Sequence, residues 1–251
     1  MRHRVTAAAV ILPLVLTAGC TSSGHKGSTS TGTGNSGSSS TNDGTLLIVS
    51  RQIKLAVATL SSAAITIDAG GLIATTTGHL KLSAGKGVAS DFTIGSGADA
   101  TRVIVVGTET FAEPPGQAST GKPYIRVTAD STSEVARGLA STLPILEAAM
   151  SLGDLADLLT TATNFVVKTP AQHYSFDVTG DTKGSALQQQ LADLSTKPVP
   201  VDLYVNAQNL PVKIVLTVNL GGSALPVTAT LSDFNAPVTI TAPPANQVAS
   251  G

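Results

Sequence analysis

The stretch PVDLYVNAQNLPVKIVLTVNL, residues 200–220, gives a clear indication that the fold contains a β-sheet. Its first half places apolar Val201, Leu203 and Val205 at alternate positions, and its second half continues the period of two. Such alternation is typical of a β-strand that buries one face. The intervening NAQNLP, residues 206–211, is rich in turn-forming asparagine and proline. The stretch therefore predicts a long antiparallel hairpin with one apolar face.

The same period of two recurs on both sides of this hairpin. Before it, QHYSFDVTG (172–180) places Tyr174, Phe176 and Val178 on one face. Further segments with this pattern lie at 63–70, 78–85, 89–95, 102–108, 123–129, 226–233 and 237–243. Glycine-rich turns separate the segments of the first half. We therefore predict an antiparallel meander from the five segments of the first half and then a second run of strands, roughly ten in all.

Three segments show the period of a helix instead. The first places its apolar residues at helical spacing, with Asn42 or Asp43 as the cap: Leu46, Val49, Ile53, Val57 and Leu60. The second begins near Ser133 and is kinked or restarted at Pro144: Val135, Leu139, Leu143, Leu146 and Met150. The third is shorter: Leu155, Leu158, Leu159 and Ala162. The order of elements is thus helix, strands, helical insert, strands.

An open sheet of this size curls, and its apolar concave face must be covered. Three amphipathic helices cover only part of such a face, so either the sheet closes into a barrel or a gap remains. The inner positions offer valine, leucine, isoleucine, alanine and methionine, and the chain has no tryptophan. These residues suit the wall of an apolar pocket, and they equally suit a packed core. The residues alone are compatible with both interpretations, an apolar pocket and a packed core.

The amino terminus has the features of a lipoprotein signal peptide. Arg2 and Arg4 precede the apolar stretch 5–18, which is too short to anchor a bilayer stably. Leu-Thr-Ala-Gly-Cys, residues 16–20, is similar to a bacterial lipobox, in which Cys20 receives a diacylglyceryl thioether and becomes the mature amino terminus. An ordinary signal peptide with an incidental thiol is the alternative. We expect residues 1–19 to be the signal peptide.

Residues 20–44 are expected to be the lipidated cysteine and a flexible tether. The segment 21–44 is nearly all serine, threonine and glycine, and its random-coil reach is about 25–30 Å. Residues 45–251 are expected to form one domain. Because Cys20 is the single cysteine, this domain must fold without disulfides. A net charge of −1 gives no indication of a nucleic-acid partner.

No arrangement of residues indicates an enzyme. His79 falls on the polar face of a strand, and His173 opens another. GSGAD (95–99) lacks the strand–turn–helix context of a nucleophilic serine. Asp154 and Asp157 are expected to complement a helix dipole, and Glu109 and Glu113 to lie in a solvated loop around Phe111. The spacing of histidine, cysteine and acidic residues predicts no metal site, and we expect no cofactor.

Several stretches resemble the LppX/LprG-type lipoproteins of actinobacteria, which share a fold with the LolA-like lipoprotein carriers. They are AQHYSFDVTGD (171–181), the hairpin PVDLYVNAQNLPVKIVLTV (200–218) and the closing SDFNAPVTITAPPANQV (232–248). The resemblance covers residues 45–249 together with the lipobox. It implies an α+β fold: a large curved antiparallel sheet, or half-barrel, with a few helices on its concave face enclosing an apolar cavity.

The resemblance also implies a function. Members of this family carry lipids or lipoglycans across the cell envelope and are not known for catalysis. We expect a protein anchored by lipid on the extracytoplasmic face of the cell membrane, with acyl chains as ligand and a membrane transporter as a further partner. An accessory lipoprotein that contacts a transporter or a cell-wall assembly is the alternative. The expected cavity residues are Leu80, Leu82, Val103, Val105, Leu139, Leu143, Leu146, Met150, Leu155, Leu158, Leu159 and Leu203.

Overall fold

Twelve strands form one continuous sheet in the computed structural model, which describes residues 39–71, 74–116, 121–128, 131, 136–139, 151–168, 172–195, 197–220 and 223–249. The strands of the first half are β1 Ser62–Asp68, β2 Thr76–Ser83, β3 Lys86–Ile94, β4 Thr101–Val106, β5 Glu109–Glu113 and β6 Tyr124–Val127. Those of the second half are β7 Thr163–Lys168, β8 His173–Val178, β9 Val199–Val205, β10 Pro211–Leu220, β11 Ser223–Ser232 and β12 Val248–Ala249.

The strand order is β12-β6-β5-β4-β3-β2-β1-β11-β10-β9-β8-β7. The expected meander is present and contains one further strand, β5, so that it runs from β1 to β6. The second run of strands continues the sheet because β1 pairs with β11. All neighbours are antiparallel except β12, which runs parallel to β6, so the sheet is mixed. The architecture is therefore α+β with one large open sheet, as the sequence predicts.

The hairpin of residues 200–220 forms as predicted. Ile214 of β10 lies opposite Leu203 of β9, and Leu216 lies opposite Val201. In the turn, the Asn206 side chain accepts hydrogen bonds from the backbone N–H groups of Gln208 and Leu210 at 2.9 and 3.0 Å. This asparagine closes the turn by satisfying donors that would otherwise lack partners.

Three helices have defined bounds: α1 Ser39–Ala58, α2 Leu152–Thr160 and α3 Ala186–Leu194. The predicted stripe of α1 is buried from Leu46 through Val57, and Leu60 just after it is buried too. The helix begins at Ser39, so Asn42 and Asp43 lie within it and are not its cap. Of the second predicted helix, residues 136–139 are helical. Its proposed cap Ser133 and the expected kink at Pro144 lie outside the described residues.

Helix α3 has no counterpart among the predicted elements. Its start carries a capping box: the Ser185 hydroxyl accepts from the Gln188 N–H, and the Gln188 side chain accepts from the Ser185 N–H at 2.9 Å. Ser-x-x-Gln before Leu191 is a recognisable helix start, so the signal for α3 was present in the sequence. Leu191 is 1% exposed and joins the main core.

The sheet has two distinct faces. On the inner face, which the helices cover, side chains of the strands form one apolar core with the buried stripes of α1 and α2 and with Leu191 of α3. On the outer face, a second and smaller core consists of Ala89, Ile104, Phe111, Tyr124 and Ile240. The strict alternation of the strands separates the two cores, because successive side chains point to opposite faces.

Two expectations about the outer face are wrong. Residues 109–113 are the strand β5 and not a solvated loop, since Phe111 is 2% exposed in the second core and Glu109 forms an ion pair with Arg126 at 3.0 Å. The alternating segment 237–243 forms no strand. Val238 and Ile240 of this segment instead pack against the second core. Alternation reports an extended chain with one buried side, which does not require pairing in a sheet.

Candidate functional site

The inner face of the sheet is the candidate site. Nine of the expected cavity residues are buried there, each at most 8% exposed, in one apolar core: Leu80, Leu82, Val103, Val105, Leu139, Leu155, Leu158, Leu159 and Leu203. The strands hold their residues in register; Leu80 of β2, for example, lies opposite Ala63 of β1 and Ser90 of β3. Leu143, Leu146 and Met150, together with the proposed lipidation site Cys20, lie outside the described residues.

Helices α1 and α2 lie antiparallel over this face. The Ser50 hydroxyl donates to the Ala156 carbonyl at 2.7 Å, and Lys54 pairs with Asp157 at 2.7 Å. At the start of α2, the Gly153 N–H donates to the carbonyl of Gly85 in the β2–β3 turn at 3.0 Å. These contacts fix both helices on the sheet.

The cover is incomplete at the long hairpin β10–β11. Here the inner positions Ile214, Leu216, Val227 and Ala229 are only partly buried, although they contact the main core. Leu225, the next inner-face residue of β11 from Val227 toward the hairpin turn, is also partly buried. A fully covered apolar core would bury these side chains, as it does Leu203 on the neighbouring strand. The inner face is therefore open to some extent around these five residues, whereas Val218, opposite Leu225 on the same face, is 4% exposed.

The residues of this open part were missing from the expected cavity set. Their signal was in the sequence, because PVKIVLTVNL and SALPVTATLS alternate like the strands already chosen. Alternation tells which residues share a face. It does not tell which part of that face the helices leave uncovered.

The inner face is nearly free of charge in its described part, with a few hydroxyl groups among the apolar side chains. Tyr174 stacks on Phe165 with ring centroids 5.7 Å apart, and burial raises the pKa of its phenol, so it stays neutral. Ser90 is fully buried, and its hydroxyl lacks a hydrogen-bond partner. This environment suits hydrocarbon and offers no anchor for a charged ligand.

The outer face carries the polar side chains, among them both histidines of the folded part. His79 is exposed, as expected for the polar face of β2. The Nε2 atom of His173 lies 2.8 Å from Asp202 Oδ1, and its ring stacks on Tyr204 with centroids 4.0 Å apart. Partial burial acts to raise the pKa of Asp202, but hydrogen bonds from His173 and Lys168 outweigh burial and lower it. The cluster is an ion-pair network between strands.

Three further observations concern chemistry and membranes. Asp154 lies in the first turn of α2, as expected for the positive end of a helix dipole, whereas Asp157 pairs with Lys54. The described residues include no group of three or more histidine, cysteine or acidic side chains that could hold a metal ion. In that same part of the chain, no helix is long and apolar enough to cross a membrane.

A cavity of about 280 Å³ lies beside the carboxy-terminal segment, away from the open part of the inner face. It is lined by Ser62, Ala63, His79, Asp233, Ala236, Pro237, Val238 and Thr239. The segment is held there by Ser62, whose hydroxyl donates to the Ala236 carbonyl, and by Asn235, which accepts from the Ser61 N–H at 2.7 Å. This cavity is a gap beside a packed segment.

Comparisons with known proteins identify the fold. No protein-family model matches the chain, and no curated protein matches it. The crystal structure of the lipoprotein LppX of Mycobacterium tuberculosis matches with a TM-score of 0.50 at 15% identity, over 79% of this chain and 100% of that one. LprF from Mycobacterium bovis matches with a TM-score of 0.50 at 15% identity, over 80% and 97% of the two chains. The chain thus has the LppX-type fold.

Proposed function

We propose that this protein is a lipoprotein, anchored through Cys20 on the extracytoplasmic face of the cell membrane, that binds acyl chains of a lipid or lipoglycan and carries that lipid within the cell envelope. The observation that carries the proposal is the partly buried apolar surface of β10–β11, continuous with an inner face that is apolar apart from a few hydroxyl groups. The shared fold with LppX and LprF supports it. We infer a binding role and no catalysis.

Acyl chains fit this surface better than a polar ligand. Burying apolar surface contributes about 25 cal/mol per Å², whereas an unpaired charge on such a face would be strongly unfavourable. The partly buried side chains of the hairpin are Ile214, Leu216, Leu225, Val227 and Ala229. An acyl chain laid along them would complete their burial. A transporter that delivers or receives the lipid is a further proposed partner.

An accessory lipoprotein that carries nothing is the second candidate. The observation in its favour is the dense packing of the inner face elsewhere, where Leu80, Val103 and Leu203 are each 0% exposed. A core packed this tightly across the whole face would leave no room for a ligand. The two candidates therefore differ in the ligand content of the hairpin region.

The test compares two tryptophan substitutions on neighbouring strands. Leu216→Trp adds an indole in the open part of the face, and Leu203→Trp adds it in the packed part. We expect Leu216→Trp to lose co-purified lipid and to melt within a few degrees of the wild type. Leu203→Trp should lose about 1–3 kcal/mol of unfolding free energy through overpacking. Because the chain has no tryptophan, fluorescence of the added indole reports its surroundings directly.

The measurements are mass spectrometry of solvent extracts of the mature protein made in an actinobacterial host, and thermal unfolding of each variant. The carrier proposal fails if wild-type extracts contain no lipid beyond the Cys20 modification and Leu216→Trp is destabilised as much as Leu203→Trp. That result would favour the accessory role.

A further inference from the structure

Exposed apolar side chains cluster on two touching elements. Among the described residues, six large hydrophobic side chains are exposed, and five of them lie on α1 or β7. Four of these five lie on the side of the sheet that the helices cover, and we call them the α1–β7 surface: Leu47, Ile48, Leu55 and Val167, with exposed fractions from 50% to 63%. Val166 lies opposite Ser175 and points to the outer face. Helix α1 contacts β7 directly. Single exposed apolar residues are ordinary, but a cluster of this kind marks an interaction surface.

Helix α1 is apolar on two opposite sides. At 3.6 residues per turn, Ile48 and Leu55, seven positions apart, lie almost above one another. The side chains of Ile48 and Leu55 point away from the buried side of the helix, which carries Ile53 and Val57. Arg51 lies between them on the exposed side. The exposed side of α1 is therefore mixed, with apolar side chains beside a basic one, which is the composition of a helix that lies at a membrane interface.

The contacts of α1 give its direction on the sheet. Near its carboxyl end, Val57 lies against Gly85 of the β2–β3 turn, and Ser50 bonds to Ala156 in the middle of α2. The amino-terminal half of α1 therefore extends toward the opposite end of the strands. That end also holds the β10–β11 turn, because β1 starts beside the end of β11. The exposed residues Leu47 and Ile48 thus share an end of the sheet with the open part of the inner face.

Chain connectivity indicates what covers the α1–β7 surface. Residues 21–38, eighteen in number, separate Cys20 from the first residue of α1. If Cys20 is lipidated, only these eighteen residues connect the lipid anchor to the start of α1, so α1 is the first element of the domain after the bilayer surface. Arg51 can meet anionic headgroups while its apolar neighbours enter the interface.

We propose that the α1–β7 surface docks on the lipid bilayer, with the amino-terminal half of α1 lying in the interface. This orientation turns the open end of the inner face toward the membrane, so that an acyl chain passes between bilayer and protein without crossing water. The proposal rests on the lipid anchor and the lipid-binding role proposed above. It adds the surface through which the protein meets the membrane.

The test places an environment-sensitive fluorophore at three positions of the mature, lipidated chain. Ile48→Cys and Leu55→Cys lie on the proposed surface, and Thr230→Cys lies exposed on the outer face as the matched control. Each variant is labelled with a nitrobenzoxadiazole maleimide and reconstituted in phosphatidylcholine–phosphatidylglycerol vesicles. All three positions are exposed, so the substitutions should leave the fold intact, which thermal unfolding checks.

On the vesicles, we expect the label at 48 and 55 to shift to shorter wavelength, to brighten at least about twofold and to be quenched by brominated lipids. The label at 230 should show none of these changes. Equal responses at all three positions, or none at 48 and 55, would overturn the proposal. A label at 48 or 55 that is already shielded in detergent-free solution without vesicles would also overturn it, because another protein surface then covers α1.

The same experiment tests separately whether Cys20 carries the lipid anchor. A thioether at Cys20 leaves the wild-type chain without a reactive thiol, so wild-type protein should take up no maleimide. Labelling of the wild type at one fluorophore per chain would contradict the anchor. Loss of co-purified lipid in the tryptophan experiment tests the carrier role alone. Failure of docking can therefore be told from failure of the proposed function.

Discussion

Ser90 lies in the middle of β3 on the inner face, opposite Leu80 and Val105 on the neighbouring strands. It is 0% exposed, and its hydroxyl lacks a hydrogen-bond partner. A buried polar group without a partner costs about 1–3 kcal/mol. Ser50 is the useful contrast, since it is also buried, at 5% exposed, but its hydroxyl donates a hydrogen bond to the Ala156 carbonyl and joins α1 to α2.

We expect Ser90→Ala to leave the unfolding free energy unchanged or to raise it, because the substitution removes an unsatisfied group and almost no volume. Ser50→Ala, the matched control, should lower it by about 1 kcal/mol through loss of its hydrogen bond. Urea unfolding of both variants measures the difference. A clear destabilisation by Ser90→Ala would show that this hydroxyl has a partner in solution, such as a bound water or a polar group of a ligand.

Asp202 is the residue at which pH should act most directly on the outer face. Its pKa is lowered from the ordinary 3.8, since the hydrogen bonds and charges of His173 and Lys168 outweigh the opposing effect of partial burial. A carboxyl group with a lowered folded-state pKa stabilises the fold above its unfolded-state value. That stabilisation is lost as the pH falls below 3.8 toward the folded-state value.

Asp202→Asn should therefore be less stable than the wild type at pH 7, by an amount limited by solvent screening, and the two should converge in acid below the folded-state pKa. The measurement is the melting temperature of each protein from pH 7 down to about pH 2, which extends well below the unfolded-state pKa of 3.8. Asp99→Asn, on the exposed turn Gly97–Asp99, serves as the control for removal of one negative charge. If the melting temperatures of Asp202→Asn and the wild type differ by the same amount across this range, the lowered pKa of Asp202 is contradicted.

At the level of elements, the segment from Asn235 to Ile240 acts as part of the core without being a strand. Ile240 is 8% exposed among Ala89, Ile104, Phe111 and Tyr124. The segment is fastened at its start by hydrogen bonds from Ser61 and Ser62. The outer face of β3–β6 is therefore buried by the carboxy-terminal chain, whereas the helices bury the inner face.

Ile240→Ala should lower the unfolding free energy by about 2–4 kcal/mol, since it opens a cavity in a small core. Thr239→Ala, at the exposed neighbouring position, is the control and should change it by less than about 0.5 kcal/mol. Chemical unfolding, followed by far-ultraviolet circular dichroism, measures both. Equal effects of the two substitutions would mean that the segment does not cover the second core in solution.

At the level of the whole molecule, the two ends of the sheet differ. At one end, the β2–β3 turn meets the carboxyl end of α1 and the start of α2. At the other end lie the β10–β11 turn and the contact between the end of α2 and the start of α3. In that contact the side-chain amide of Gln188 donates a hydrogen bond to the Thr161 hydroxyl at 3.2 Å. Leu216, Leu225 and Val227, three of the partly buried residues, lie in the half of the hairpin nearer this second end. The proposals of lipid binding and membrane docking both depend on this asymmetry.

The sequence alone determined the features that depend on near neighbours along the chain. Alternation assigned Val201, Leu203 and Val205 to one buried face, and helical spacing did the same for Leu46 through Val57 of α1. The turn at Asn206 followed from its residue types. The periods of two and 3.6 are properties of the local backbone, so a single sequence reveals them.

Only the tertiary structure decided the features that depend on residues far apart in the chain. The pairing of β1 with β11 joins two runs of strands into one sheet, and no local pattern specifies that partner. Leu203 and Leu216 carry the same side chain and the same pattern, yet one is fully buried and the other partly open. Burial is set by what packs against a residue, and here the helices that cover Leu203 do not fully cover Leu216.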